Sequence, residues 1–430
     1  MSKSSTLRKS LNNVFYGGVA TSAMDTLATG PFLIAYALMF GAGNVAIGFL
    51  GAIGFVGNLM HLLSAYLIEQ GKTPKQISVL FSALSRPFYL IAAILAFWAG
   101  SAWALTLLIG CFSATYMIGS VAGGAWLPWM KALVPANLMG RFFSHRFKWM
   151  MIAKIVCYGS GAGLIWWFEK YKAQDTIFAY SILLGIAFII GVYGVYTLTQ
   201  VENKKVSYQK TDSFFKKTAH TFKNKPFKNL LVFLGSLNFA VSFITPFMTV
   251  FMLKTLEFST PVVVGLTVIS QFTHAFSVKT WGKMADKKNC QKILQKSIPL
   301  FMICIILFMG CLFIENKHIV LGILVGTHLL LGISQSAITL GMNNISLLHI
   351  PEQDASIYLS VNSVFKSFMS AFASVMAGVI LDGILWGTNQ AFSSTDTAIL
   401  WGWNVFFFLS LILCVVTFPL LRKVRPCSEK

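Results

Sequence analysis

Long apolar runs, divided by short polar segments, are the main feature of this sequence. Within a run the apolar residues follow one another without the strict alternation of a half-buried strand, which favours helices. Each run can cross a bilayer core, which takes about 20 helical residues, and lipid requires every backbone polar group to be paired internally. The pattern predicts twelve spans, near residues 13–41, 44–68, 77–99, 102–130, 147–168, 176–199, 229–253, 262–282, 297–314, 319–349, 356–383 and 397–420.

The composition supports a membrane protein. Hydrophobic residues make up 56% of the 430 positions and charged residues only 11%. A soluble domain carries about 25% charged residues, so this chain cannot cover itself with a wetted surface. Its seven cysteines show no paired spacing, and we predict neither a metal site nor a cofactor.

The placement of the positive charge predicts the topology. The formal net charge is +20, and 27 of the 34 Lys and Arg residues fall in the segments on one side of the predicted spans. The opposite side has only Lys170, Lys172, Lys254 and Lys317. Cytoplasmic segments carry this excess in membrane proteins, so we expect both termini in the cytoplasm. The lysine-rich loops and short termini are typical of a bacterial protein, so we expect the cytoplasmic membrane as its location. Topology therefore explains the basic residues, and nucleic acid is not an expected partner.

The chain divides into two similar halves. We predict an N-terminal bundle of six helices at 1–199, a basic cytoplasmic linker at 200–228, and a C-terminal bundle of six helices at 229–430. Aligning Pro135 with Pro351 gives an offset of 216 residues, and the same offset aligns the segment after the second span with the segment after the eighth. Shared landmarks of this kind indicate an internal duplication, which is a known plan of transporters.

A short motif follows the predicted eighth span: Gly282, then Asp286 four residues later, then Lys287 and Lys288. Together with the span count and the duplication, it resembles the signature loop of the major facilitator superfamily. Glu69 stands one position early in the first-half counterpart, which lacks the Gly and the Asp. Residues 133–146 further resemble a loop of a poorly characterised bacterial branch of that superfamily.

The resemblance covers essentially the whole chain. It implies an all-α membrane protein of two pseudo-symmetric six-helix bundles, which moves a small solute by alternating access and works as a monomer. Two departures disfavour a drug exporter of the familiar kind. The fourth span lacks the usual arginine, and the fifth span has glycines but no proline.

Asp25 is the strongest candidate for a functional side chain. It lies about 18 Å along the predicted first span, where a charge needs a partner, water or a task. Thr21 and Thr29 share its helix face, and the pair Gly30–Pro31 should interrupt the helix beside it. We consider a proton-coupling or substrate-binding carboxylate and a structural ion pair as alternatives. Lys154 in the fifth span is the expected partner in either case.

Other polar residues inside the spans form a second group. Lys366 either binds an anionic substrate group or extends towards the cytoplasmic surface. Arg86, which precedes Pro87 in the third span, is interpreted as structural. The neutral candidates for substrate binding are Tyr116, Asn238, Gln271, His328 and Gln335. Each of these can instead form a hydrogen bond between helices.

The resemblance also implies a cytoplasmic gate. In the superfamily, the signature loop of one half docks on the fifth-type helix of the other half. Carried over, Asp286 would meet the start of the fifth span, where helix polarity and arginines both favour an acid. The predicted gate residues are Gly282, Asp286, Lys287, Arg141, Arg146 and Glu69.

The functional expectation is a secondary active transporter of a small polar solute, proton-coupled through Asp25. The sequence contains no P-loop and no catalytic constellation at membrane depth, so we do not expect an enzyme. A polytopic membrane enzyme, a receptor on a transporter scaffold and an efflux pump remain the alternatives.

Overall fold

Each predicted apolar run forms a helix in the computed structural model, which describes residues 3–203, 221, 224–287, 290–349 and 355–424. Among these residues, eleven helical segments are long and apolar enough to cross a membrane. The first run provides the twelfth span. It falls outside that set because its first helix starts in the polar N-terminal arm and its second helix is only 9 residues long. The predicted all-α fold with twelve spans is confirmed.

The first six spans comprise nine helices, because three spans are broken. The helices are α1 Lys3–Ala28, α2 Pro31–Met39, α3 Asn44–Asn58, α4 His61–Glu69, α5 Pro74–Ser85, α6 Pro87–Ile94, α7 Ala102–Leu133, α8 Ala136–Tyr171 and α9 Thr176–Thr199. The short segment before α5 ends at Thr73, whose hydroxyl accepts from the Gln76 amide while the Gln76 side chain accepts from the Thr73 amide. This reciprocal cap fixes the start of the third span.

The last six spans comprise α10 Lys225–Val250, α11 Thr260–Lys287, α12 Cys290–Gly310, α13 Lys317–His349, α14 Ala355–Ala391 and α15 Thr395–Lys423. A π-helical turn, Phe251–Thr255, continues α10. The Asn224 side chain caps α10 by accepting from the Phe227 amide, and a proline occupies the first turn. Asn and Pro at these positions are typical of a helix start, so the predicted linker ends at this point.

Two segments predicted as loops are helical, which corrects the sequence interpretation. Helix α8 begins at Ala136 directly after Pro135, so most of the segment between the predicted fourth and fifth spans, residues 131–146, belongs to the fifth span. Helix α11 continues through Gly282 to Lys287, so the signature motif begins within a helix. Neither segment contains a helix-breaking proline after its first residue, and a charged helix end is stable where it leaves the membrane.

Contacts divide the chain into two compact units, each with its own core. Unit 1 comprises Met1–Gly43, Ile53–Lys210 and Ser259–Val264, and unit 2 comprises Asn44–Ala52, Thr211–Phe258 and Gly265–Lys430. In unit 1, α1 packs against α8 and α9; in unit 2, α10 packs against α14 and α15. The first span thus contacts the fifth and sixth as the seventh contacts the eleventh and twelfth, which agrees with the predicted duplication.

The predicted linker at 200–228 lies largely outside the described residues, but its start is anchored in unit 1. Val201 is buried in a cluster with Val14, Trp129 and two further residues of α7. The Trp129 Nε1–H donates to the Glu202 carbonyl at 3.1 Å, and the Glu202 amide donates to Ser10 Oγ at 3.1 Å. The domain boundaries predicted from the sequence stay a prediction.

The predicted break at Gly30–Pro31 is confirmed. Helix α1 ends at Ala28, and α2 begins at Pro31. Gly30 adopts φ 61° and ψ −135°, a conformation that is essentially restricted to glycine. The break therefore depends on the missing side chain at this position.

Gly30→Ala is expected to destabilise the protein by about 1–3 kcal/mol, because alanine is strained at positive φ. Thermal unfolding of the detergent-solubilised protein measures the change. Gly43→Ala is the matched control, since Gly43 has φ −76° and no atom within 4 Å of an added Cβ. Equal melting temperatures for the two variants would contradict this account of the break.

Candidate functional site

Asp25 lies deep along the first span of unit 1, and it is exposed between buried neighbours. Helix α1 places it about 20 Å from the end of α2, near the middle of the first span. The flanking residues Met24 and Thr26 are buried against neighbouring helices, whereas Asp25 itself is exposed. An exposed carboxylate at this depth meets the requirement that a charge within the membrane have a partner, water or a task.

Two cations and two phenols from three other spans surround Asp25. Arg86 and Lys154 both act electrostatically on its carboxylate, and the carboxylate acts in turn on the hydroxyl groups of Tyr89 and Tyr116. Within the described chain, neither cation forms a direct ion pair with Asp25 at an N···O distance of 4.0 Å or less. The carboxylate is thus stabilised at a distance, and its oxygens remain available to a proton or a ligand.

The local structure explains how Arg86 reaches this site. Pro87 breaks the third span, so Arg86 stands between α5 and α6 with its amide bonded to the Ala83 carbonyl. The Arg86 side chain packs beside Gly191 of α9, where an added Cβ would meet the Arg86 Cδ at 2.9 Å. The interpretation of Arg86 as structural stays a prediction, since its side chain both packs on α9 and acts on Asp25. The sequence signal for the second property is an arginine at mid-span depth directly before a proline.

The hydroxyl groups near Asp25 are engaged in hydrogen bonds to backbone carbonyl groups. Those of Thr21, Thr26 and Thr29 donate to carbonyl groups one turn earlier in α1. Ser22 donates to the Met150 carbonyl of α8 at 3.1 Å, which joins the first span to the fifth. The expected proximity of Asp25 and Lys154 follows from this contact.

Residues predicted in the second half lie in unit 2. Asn238 donates to the Leu234 carbonyl at 2.7 Å and contacts the Met342 sulfur at 3.3 Å, which joins α10 to α13. His328 is only 3% exposed, and its Nδ1 bonds to the Leu324 carbonyl at 2.8 Å, which favours the structural alternative. Lys366, Gln271 and Gln335 are half-buried.

The predicted gate residues have different surroundings. Arg141 and Glu69 are exposed. Arg146 turns into unit 1, with its guanidinium 4.8 Å from the Trp126 ring centre. The side chains of Asp286 and Lys287 lie outside the described residues, so the gate contact stays a prediction.

A metal-binding cluster is not formed by the described residues: no group of three His, Cys, Asp or Glu side chains in these ranges is arranged to hold an ion. The described cysteines in the spans are free, and all of them except Cys157 are buried. The chemistry of the site therefore rests on the carboxylate, its two cations and the two phenols.

Comparisons with known proteins identify the fold. No protein-family model matches the chain, and no curated protein sequence matches it. A mutant of the nucleoside transporter NupG has a TM-score of 0.72 at 13% identity, covering 95% of this chain and 99% of that one. The D-xylose–proton symporter has a TM-score of 0.70 at 12% identity, covering 99% of each chain. A bacterial homologue of the iron transporter ferroportin, in an inward-facing state, has a TM-score of 0.69 at 12% identity, covering all of both chains.

At this level of identity the likeness shows the fold. The chain has the major facilitator fold, as the sequence resemblance predicted.

Proposed function

We propose that this protein is a secondary active transporter, which carries a small polar solute across the cytoplasmic membrane by alternating access. The observation that carries the proposal is the accessible Asp25 carboxylate at mid-span depth, with Arg86, Lys154 and two tyrosines around it. Charges at this depth are expensive and mark ion or substrate pathways. The structurally similar proteins named above are all described as transporters or as homologues of one.

Proton coupling through Asp25 is part of the proposal. The carboxylate is the acidic group of this cluster, and its cations stabilise the charged form without occupying its oxygens. Protonation would cancel one negative charge between two positive ones and so change the field on the surrounding helices. One of the similar proteins is described as a proton symporter, which is consistent with this coupling. We expect symport, with both termini in the cytoplasm as the positive-inside pattern predicts.

The class of ligand can be identified by measuring the melting temperature of the detergent-purified protein with each member of a broad metabolite panel, at two pH values. A ligand at about 100 times its dissociation constant adds about 2.7 kcal/mol of stability. We expect one chemical class to raise the melting temperature of the wild type but not of Asp25→Asn. Stabilisation that persists in Asp25→Asn would remove Asp25 from the binding site, and no stabilisation by any metabolite would count against a polar solute.

The electrostatic pair of Asp25 and Lys154 gives a second test. Lys154→Met and Asp25→Asn should each impair transport of the ligand found in the panel, because each leaves the cluster with an unbalanced charge. The charge swap Asp25→Lys with Lys154→Asp should recover part of the activity in proteoliposomes. Additive defects without recovery would show that the two residues act independently.

A further inference from the structure

A polar cavity lies within unit 1, and Asp25 is not among the residues that line it. It has a volume of about 170 Å³ and is bordered by α1, α5, α7, α8 and α9. Its polar lining comprises Arg86, Arg146, Thr21, Ser78, Ser82 and Trp126. Five glycines complete the wall, so the cavity reaches the helix backbones.

The two arginines in this cavity have few protein partners. The Arg86 Nε is buried without a hydrogen-bond partner, and its Nη1 bonds only weakly to Ser85 Oγ, at 3.3 Å. Arg146 Nε donates to the Val14 carbonyl at 3.3 Å, and the guanidinium stacks on Trp126. A guanidinium has five N–H donors, so most donors of this pair are left for something in the cavity.

The charge of the cavity lining is positive. Its residues include two arginines and no carboxylate. Asp25 acts on Arg86 but does not line this cavity, and it is one acid against two guanidinium groups. Both arginines are half-buried and the Arg86 Nε is fully buried, and charged groups removed from water are normally paired, so the arrangement favours an anion.

We propose that this cavity binds a small oxyanion, of the size of phosphate, sulfate or a short carboxylate. The volume of about 170 Å³ accommodates a tetrahedral oxyanion with some hydration. Guanidinium groups recognise such ions through paired, charge-assisted hydrogen bonds, and the serine and threonine hydroxyls add further donors. The cavity is too small for a whole lipid, although a lipid headgroup presents the same chemistry.

The oxyanion site is linked to the candidate transport site, because Arg86 both lines this cavity and acts on Asp25. An oxyanion bound to Arg86 would offset part of the positive charge that this residue exerts on Asp25. Binding of an oxyanion in the cavity would therefore change the electrostatic field at Asp25, the carboxylate to which the proposed function assigns proton coupling.

The test measures binding of inorganic phosphate and sulfate to the full-length, delipidated protein in detergent, by thermal shift at constant ionic strength with chloride as the reference. We expect saturable stabilisation by phosphate or sulfate in the wild type. Arg86→Gln and Arg146→Gln should each weaken binding at least tenfold. Lys148→Gln, which removes an exposed cation of the same helix as Arg146, should bind phosphate as the wild type does.

A steric variant keeps the test decisive if the arginine variants fail to fold. Gly119 lines the cavity, and an added Cβ would meet only Ser85 atoms, at 3.7 Å or more. Gly119→Ala thus keeps both arginines and should fold, yet it narrows the cavity and should weaken phosphate binding at least tenfold. Gly110→Ala on the same helix, with no atom within 4 Å of an added Cβ, is the control and should leave binding unchanged.

Two results would overturn the proposal: no saturable effect of either oxyanion, or equal affinity in Gly119→Ala and the wild type. Adding phosphatidylglycerol to the delipidated protein distinguishes the sources of the oxyanion. Competition with phosphate would identify a headgroup as a second occupant of the same site, and no competition would assign the site to free oxyanions. Because neither readout involves solute transport, the result is independent of the proposed function.

Discussion

Asp25→Asn is expected to abolish accumulation of the solute against its gradient while leaving solute exchange measurable. Asparagine has nearly the shape of aspartate but cannot take up or release a proton. A pH gradient of one unit acting on one proton provides about 1.4 kcal/mol, which sustains about a tenfold accumulation of a neutral solute. Asp25→Asn should lose this tenfold accumulation completely, because Asp25 is the carboxylate on which Arg86 and Lys154 act.

Proteoliposomes with an imposed pH gradient measure the accumulation, and counterflow without a gradient measures exchange. The ligand is the one identified by the stability panel. Asp175→Asn is the matched control, since Asp175 is an exposed carboxylate in the short turn Ala173–Asp175. The control should accumulate solute as the wild type does. Wild-type accumulation by Asp25→Asn would place the coupling group elsewhere and remove the central step of the proposed mechanism.

Gly332→Ala is expected to give the largest loss of stability, about 3 kcal/mol. Gly332 is buried in α13 at its crossing with α11. A Cβ here would overlap the Ser270 carbonyl and the Thr273 hydroxyl, and it would lie 2.9 Å from the His274 amide nitrogen. Most of these atoms belong to backbone, which cannot rotate away, so the helices must separate. Overpacking of this kind costs about 1–3 kcal/mol or more.

The crossing of α11 and α13 also depends on polar contacts that separation would break. Trp281 Nε1–H donates to the Ile333 carbonyl at 3.1 Å, and the hydroxyls of Ser277 and Ser336 are 3.1 Å apart. Interhelical hydrogen bonds in membranes are each worth about 0.6 kcal/mol on average, so their loss adds to the effect.

Thermal unfolding in detergent, with the purified yield as a second readout, measures the Gly332→Ala effect. Gly326→Ala is the matched control less than two turns earlier in α13, where an added Cβ meets nothing within 4 Å. This control should be neutral or slightly stabilising, because alanine favours a helix more than glycine does. If Gly332→Ala and Gly326→Ala unfold at the same temperature, α11 and α13 are not in tight contact at Gly332.

Asp25 shows how much of the candidate site can be predicted from the sequence. Its depth and the adjacent Gly30–Pro31 break follow from the local sequence, because both depend on residues within one or two turns. The role of Arg86 does not, since Asp25 and Arg86 are 61 positions apart and meet only through helix packing. The gate role that the sequence predicts for Arg146 stays a prediction, and only the structure shows that its guanidinium also lines a cavity of unit 1. His328, a substrate candidate from its position in a span, proves to be buried and bonded to its own helix.

The sequence by itself determined the twelve spans, the duplication pattern and the all-α fold. Hydrophobicity and the need to pair every backbone group in lipid are properties of each segment alone, so they can be read without knowing what each segment contacts. Only the tertiary structure decided which charged side chains lie near one another, that His328 is buried and bonded within its own helix, and where glycines allow helices to touch. Those outcomes depend on pairs of distant residues, whose proximity is set by the packing of whole helices.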